Sequence, residues 1–130
     1  MIRTRAWGRF CLAAAIAAAT GCGDSPASPP TGPGANPFTI TISGAGLVSP
    51  KSLTVPPGSR VLFVNSHSRR HDMTSDPHPD HLDCPELNQI GVLNPSQSRE
   101  SGNLVAVRTC GFHDHDDPDN VNLRGSIIVR

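Results

Sequence analysis

The sequence predicts an all-β domain, a two-sheet antiparallel Greek-key sandwich, and three observations carry that expectation. Pro and Gly make up 25 of the 130 residues, 13 and 12 respectively, a density that breaks helices and suits short strands joined by turns. Past the N-terminal leader, apolar residues alternate with polar ones or run unbroken for only a few positions, which is strand patterning. With 130 residues the chain has room for one domain at most.

Residues 1–21 read as an export leader. Arg3, Arg5 and Arg9 precede an apolar run from Phe10 to Ala19, followed by Thr20-Gly21-Cys22, and the run is too short to span a bilayer. A Cys directly after small residues resembles the bacterial lipobox, although Ala19 stands where that motif more often has Leu. The resemblance implies a lipidated Cys22 and an exported protein anchored at the periplasmic face of a bacterial membrane. An ordinary leader cut after Gly21 would instead leave Cys22 as a free thiol. Residues 22–37 hold five Pro and three Gly with almost nothing to bury, so they read as a tether. Fully extended at ~3.1 Å per residue, it would reach roughly 45 Å from a membrane.

The folded domain is expected over residues 38–130. Phe38-Thr39-Ile40-Thr41-Ile42 alternates as a half-buried strand does, and Leu53-Thr54-Val55 follows suit. Pro56-Pro57-Gly58 fits a tight turn, with Pro fixing φ and Gly allowing positive φ at the next position. Val61 to Val64 reads as a buried strand ending at Asn65. Asn94-Pro95-Ser96 marks a turn ahead of a strand at Leu104–Val107, and Ile127–Val129 supplies the last.

Formal charge is zero, from eleven Lys and Arg against eleven Asp and Glu, with no Tyr and one Trp. No basic field or stacking platform is available, so nucleic acid is not an expected partner. Removing the leader removes three Arg and leaves eight basic against eleven acidic residues, which favours a basic partner. All six His lie between positions 67 and 115, together with Cys84 and Cys110. Imidazole with thiolate selects copper or zinc over hard cations, and a Cys with two His can make a trigonal blue-copper site. Nothing outside this cluster supplies the cleft and oriented base of a Cys–His hydrolase, so no enzymatic activity is expected.

Val61-Leu62-Phe63-Val64-Asn65, five further residues and His71 resemble the cupredoxin pattern of a strand, an Asn and the first copper-binding His. Val55-Pro56-Pro57-Gly58 resembles the turn ahead of that strand. Cys110-x-x-His113, followed by Leu123-Arg124-Gly125 and the strand to Val129, is similar to the plastocyanin ending, where Cys and His ligands precede Met-Lys-Gly. The resemblance implies a membrane-tethered electron-transfer protein with copper as cofactor and a redox protein as partner. It implies His71, Cys110 and His113 as equatorial ligands, Asn65 pinning the two ligand loops together, and His113 as the exposed edge through which electrons leave. Leu123 holds the axial place and cannot coordinate, leaving three ligands or a weak oxygen such as the Arg70 carbonyl. The loop after His113 is longer than in plastocyanin and carries His115, which competes with His113 as ligand.

Two rival readings use the same residues. In an oxidising compartment Cys84 and Cys110 are by base rate a disulfide, closing a 27-residue loop worth ~3 kcal/mol and removing the thiolate. With that bond the imidazoles would still bind copper for storage or transfer, or the domain would lack metal altogether; in the other reading His78, His81, Cys84 and His115 capture, store or deliver copper with no electron transfer. Met73, two residues past His71, reads as core packing, His67 as an exposed loop residue, and the Asp-rich 114–119 segment as solvated rather than a calcium loop.

Overall fold

In the computed structural model the described residues are 36–130; the leader, Cys22 and the tether up to residue 35 lie outside them. Among the described residues nine strands run in chain order: β1 (Thr39–Ile42), β2 (Val48–Ser49), β3 (Ser52–Val55), β4 (Leu62–Asn65), β5 (His71–Ser75), β6 (Gly91–Leu93), β7 (Ser98–Glu100), β8 (Arg108–Asp114) and β9 (Gly125–Val129). They form two sheets, ordered β2-β1-β4-β7 and β3-β9-β8-β5-β6. Short 3₁₀ turns at Pro85–Gln89 and Val121–Leu123 are the helical elements among the described residues.

Alternation sets which side chains meet between the sheets. Ile40 and Ile42 of β1, Phe63 of β4, Met73 of β5, Phe112 of β8, and Ile127 and Val129 of β9 are all buried, one side chain in two facing the core. Phe63 meets Phe112 edge-on, at 5.2 Å and 87°, a geometry that adds ~0.5–1.5 kcal/mol beyond the area buried. The expected Pro-Pro-Gly turn forms: Ser59 N–H donates to the Pro56 carbonyl at 3.2 Å, and Gly58 takes φ 90°, a left-handed value that Gly adopts without a Cβ clash.

The all-β sandwich is as expected, but the sheets are mixed rather than purely antiparallel. β1 runs parallel to β4, and β3 parallel to β9. The strand expected at Leu104–Val107 is displaced: only Leu104 is buried and bridged, to Ser59, while Val105 and Val107 are 60% and 73% exposed. The ladder starts instead at Arg108 and runs unbroken to Asp114, where pairing with β9 sets Cys110 opposite Ile127. Cys110 and His113 therefore sit on one extended strand instead of a ligand loop. β5 pairs with β8 through Met73↔Asp114 and Thr74↔His113, so two His-bearing strands lie side by side. Met73 is fully buried in the core.

Candidate metal centre

The histidines separate by strand face. Along β8, Cys110, Phe112 and Asp114 point inward, while His113, and His115 just past the strand end, lie on the opposite side. There the loop from Asp76 to Cys84 folds back over the sheet, with Asp76 N–H donating to the Gly111 carbonyl at 3.0 Å and His81 N–H to the Pro77 carbonyl at 2.7 Å. That loop carries His78 and His81. One ring nitrogen from each of His78, His81, His113 and His115 lies within 4.8 Å of the other three. Opposite ligands across a centre with metal–nitrogen bonds of about 2.05 Å are ~4 Å apart, so small side-chain rotations complete the set.

His113 anchors it. Its ring is 1% exposed and Nδ1 lies 2.6 Å from Asp76 Oδ1; a carboxylate only accepts, so the proton belongs on Nδ1 and the Nε2 lone pair faces the other imidazoles. That Nε2 is the one buried side-chain nitrogen or oxygen without a hydrogen-bond partner among the described residues. Leaving such a group unpaired costs ~1–3 kcal/mol, a cost that a bound ion removes. The remaining rings converge: centroids of His81 lie 5.2 Å from His113 and 5.0 Å from His115, and His78 lies 5.1 Å from His115. His81 adopts φ 54°, a left-handed conformation costing ~1–2 kcal/mol in an L-residue. Burial, together with the adjacent His113, His115 and His78, holds its pKa below the ordinary histidine value, which keeps a lone pair free near neutral pH.

Gly111 makes this arrangement feasible. A Cβ there would collide with the Asp76 carboxylate, so the missing side chain is what lets the acid reach His113. Arg124 Nη2 stands 3.9 Å from the same Asp76 oxygen.

The trigonal set implied by the family resemblance does not assemble. Cys110 is joined to Cys84 in a disulfide, with Cα atoms 5.6 Å apart, so neither sulfur offers a thiolate, and the bond is fully buried on the core side. His71 faces inward, away from His113: its Nδ1 lies 2.7 Å from Asp114 Oδ2 and its Nε2 2.8 Å from His67 Nδ1. His67 is thus a half-buried partner of His71 rather than a free loop residue. His113 is buried, so it is not the exposed edge; His78 and His115 are exposed. Asn65 pins, but elsewhere: its Nδ2 donates to the carbonyls of Arg69 (2.8 Å) and Leu93 (2.9 Å), and its Oδ1 accepts from His67 N–H. Leu123 is buried beside His71 and Asp114, lining the same cleft. Of the residues singled out from sequence, His78, His81, His113 and His115 come together, and His71, Cys84, Cys110 and Leu123 do not join them. Asp76 and Gly111 had no signal in the sequence, since their importance exists only once β5 lies against β8.

No protein-family model and no curated protein matches the chain. Solved structures do. A purple cupredoxin from Nitrosopumilus maritimus is 21% identical, with a TM-score of 0.55 over 72% of this chain and 99% of that one. An oxidised plastocyanin from Dryopteris crassirhizoma is 20% identical, with a TM-score of 0.55 over 71% and 99%. A mutant amicyanin in the Cu(I) form is 16% identical, with a TM-score of 0.53 over 72% and 81%. The fold is that of the cupredoxins, as the sequence resemblance implied.

Proposed function

We propose that this cupredoxin-fold domain binds copper through His78, His81, His113 and His115, and holds or hands on the ion outside the cytoplasm. The buried His113 Nε2, backed by Asp76 and without a partner among three further imidazoles, is the observation that carries this reading. Imidazole suits copper, zinc, iron and nickel, and Cu²⁺ stands highest of the divalent ions on nitrogen donors; a neighbour of the same fold is described in a Cu(I) form. Bound there, copper would supply one-electron chemistry without a thiolate. The chain's own residues hold it: Asp76 fixes the His113 tautomer, β8 fixes the ring, and the 76–84 loop brings two further donors.

Electron transfer at this same centre is the second reading, favoured by fold neighbours described in oxidised and reduced forms. In either case the partner, a copper-transfer or redox protein, would approach the exposed rings of His78 and His115. Export and a lipid anchor at Cys22 belong to the same proposal. The Cys84–Cys110 bond supports export, because disulfides persist in oxidising compartments.

The test is a Cu(II) titration of the metal-free full chain, followed by visible absorption and EPR, with peptide mapping of Cys84 and Cys110. The expected result is weak absorption, a nitrogen-rich Cu(II) signal and the two cysteines bonded to each other, with His81→Ala/His115→Ala weakening that site at least tenfold. An intense blue band abolished by Cys110→Ser would overturn it in favour of a thiolate site.

A further inference from the structure

We infer that the cavity beside the four-histidine centre takes a small carboxylate anion, gripped by Arg124 and bonded through one oxygen to the ion that His78 and His113 help to hold. The inference rests on the four-histidine reading. Register puts Arg124 there. β8 pairs with β9 as far as Phe112↔Gly125, and Arg124, at φ −119° and ψ 151°, continues β9 backwards by one extended residue. Side chains alternate along that line, so Leu123 turns into the core and Arg124 comes out on the face that carries His113.

Arg124, His78 and His113 line one cavity of about 450 Å³, walled also by Pro77, Pro118 and the exposed Asp119. The guanidinium is uncommitted there. Arg70 and Arg108 each hold a carboxylate closely, at 2.7 Å from Asp116 and 2.6 Å from Glu86. Arg124 Nη2 instead stays 3.9 Å from Asp76 Oδ1, an oxygen already engaged by His113 Nδ1 at 2.6 Å. A separation of 3.9 Å is too long for a hydrogen bond, so the planar fork of N–H donors is left for a ligand, and a carboxylate matches that fork. Pro77 and Pro118 bring no backbone N–H to the walls, which leaves Arg124 as the donor an anion would meet.

Charge favours an anion at this place. Four neutral imidazoles leave both charges of Cu(II) uncompensated, while the Asp76 carboxylate is occupied by the His113 proton. Arg124 adds a further positive charge on the wall of the same cavity, and like charges repel strongly in a half-enclosed, low-dielectric space. An anion between them replaces that repulsion with two attractions. Tetragonal Cu(II) has axial room beyond a plane of four nitrogens, so an oxygen ligand displaces no imidazole. Asp76 and Asp119 stand close by and repel a dianion more than a monoanion, which favours a carboxylate over phosphate. The centre would thus exchange copper as its complex with small organic acids.

Equilibrium dialysis of the full chain against Cu(II), in sodium formate or in sodium perchlorate at equal ionic strength, tests the assignment, with EPR on each sample. In wild type, formate is expected to tighten copper binding about tenfold, the worth of a charge-assisted hydrogen bond, and ¹³C-formate to show coupling to the copper electron spin. Arg124→Ala and Arg124→Gln are each expected to bind copper in perchlorate at least as tightly as wild type, with the same nitrogen-rich spectrum and circular dichroism, and to lose the formate effect. Equal affinity and spectra in the two salts, or a formate effect kept by both variants, would overturn the carboxylate site and leave the four-histidine reading standing. Failure of wild type to bind copper in either salt would overturn both.

Discussion

At His113 the chain buries an imidazole where a strand ordinarily buries an apolar side chain, and two residues decide whether that imidazole can ligate. Asp76 accepts from Nδ1 and so leaves Nε2 bare. Asn at position 76 keeps the size but can turn an N–H₂ towards Nδ1, which selects the tautomer with the proton on Nε2 and blocks the lone pair. Asp76→Asn is therefore expected to weaken Cu(II) binding at the four-histidine centre by about 10–100-fold, measured by competition with a chelator of known affinity. Gly111→Ala is expected to do at least as much, because its Cβ displaces the Asp76 carboxylate. Unchanged affinity in both variants would mean that Asp76 has no part in orienting the ring. The clustering of His78, His81, His113 and His115 with the cysteines was legible as a candidate metal set, although the sequence reading centred it on Cys110 and His71. Asp76 and Gly111 were not, because a carboxylate in a loop and a glycine in a strand acquire meaning only from the partner they face.

Strand β8 shows how a small displacement along the chain changes chemistry. Local apolarity placed a strand at Leu104–Val107 and a loop at Cys110–His113, but pairing with β9 starts the ladder at Arg108 and drives Cys110 into the core. Apolar runs mark what can be buried, whereas the ladder is decided by the partner strand, which a single sequence does not display. The disulfide was the rival to a Cys110 thiolate ligand, drawn from compartment and cysteine count, and the structure forms it between Cys84 and Cys110. Its place matters to the metal loop: Cys84 closes the segment bearing His78 and His81, and Cys110 precedes His113 by three positions. Cys84→Ala/Cys110→Ala is expected to lose ~3 kcal/mol from the chain-entropy effect of a 27-residue loop, read from urea unfolding. Copper affinity should fall with it, since the segment bearing His78 and His81 then loses its covalent cross-link to the strand bearing His113. A stability loss with undiminished affinity would show that the loop is organised without the covalent link.

For the molecule as a whole, alternation and turn chemistry sufficed for the two-sheet architecture, because apolar faces such as Ile40/Ile42 and Ile127/Val129 can be covered only by a second sheet. The parallel pairings of β1 with β4 and β3 with β9 stayed hidden, since a strand's sequence does not state its neighbour's direction. The same long-range placement splits the histidines between two faces of one strand pair, which no spacing rule could separate. The proposed export and anchoring turn on the residues ahead of the domain. The described fold starts at Asn36, whose Nδ2 donates to the Arg60 carbonyl at 2.9 Å and to Glu100 Oε1 at 3.0 Å, so a Pro-rich segment leads from Cys22 directly into β1. If Cys22 carries lipid, acyl chains at ~0.8 kcal/mol per buried CH₂ hold the chain on a membrane through Cys22 alone. Cys22→Ser is then expected to move the full chain, expressed in a bacterial host, from the detergent-extracted membrane fraction to the soluble periplasmic extract. The copper stoichiometry should be untouched, because Cys22 is not among the proposed ligands. Soluble wild-type protein at the outset would rule out the anchor and leave the metal centre standing.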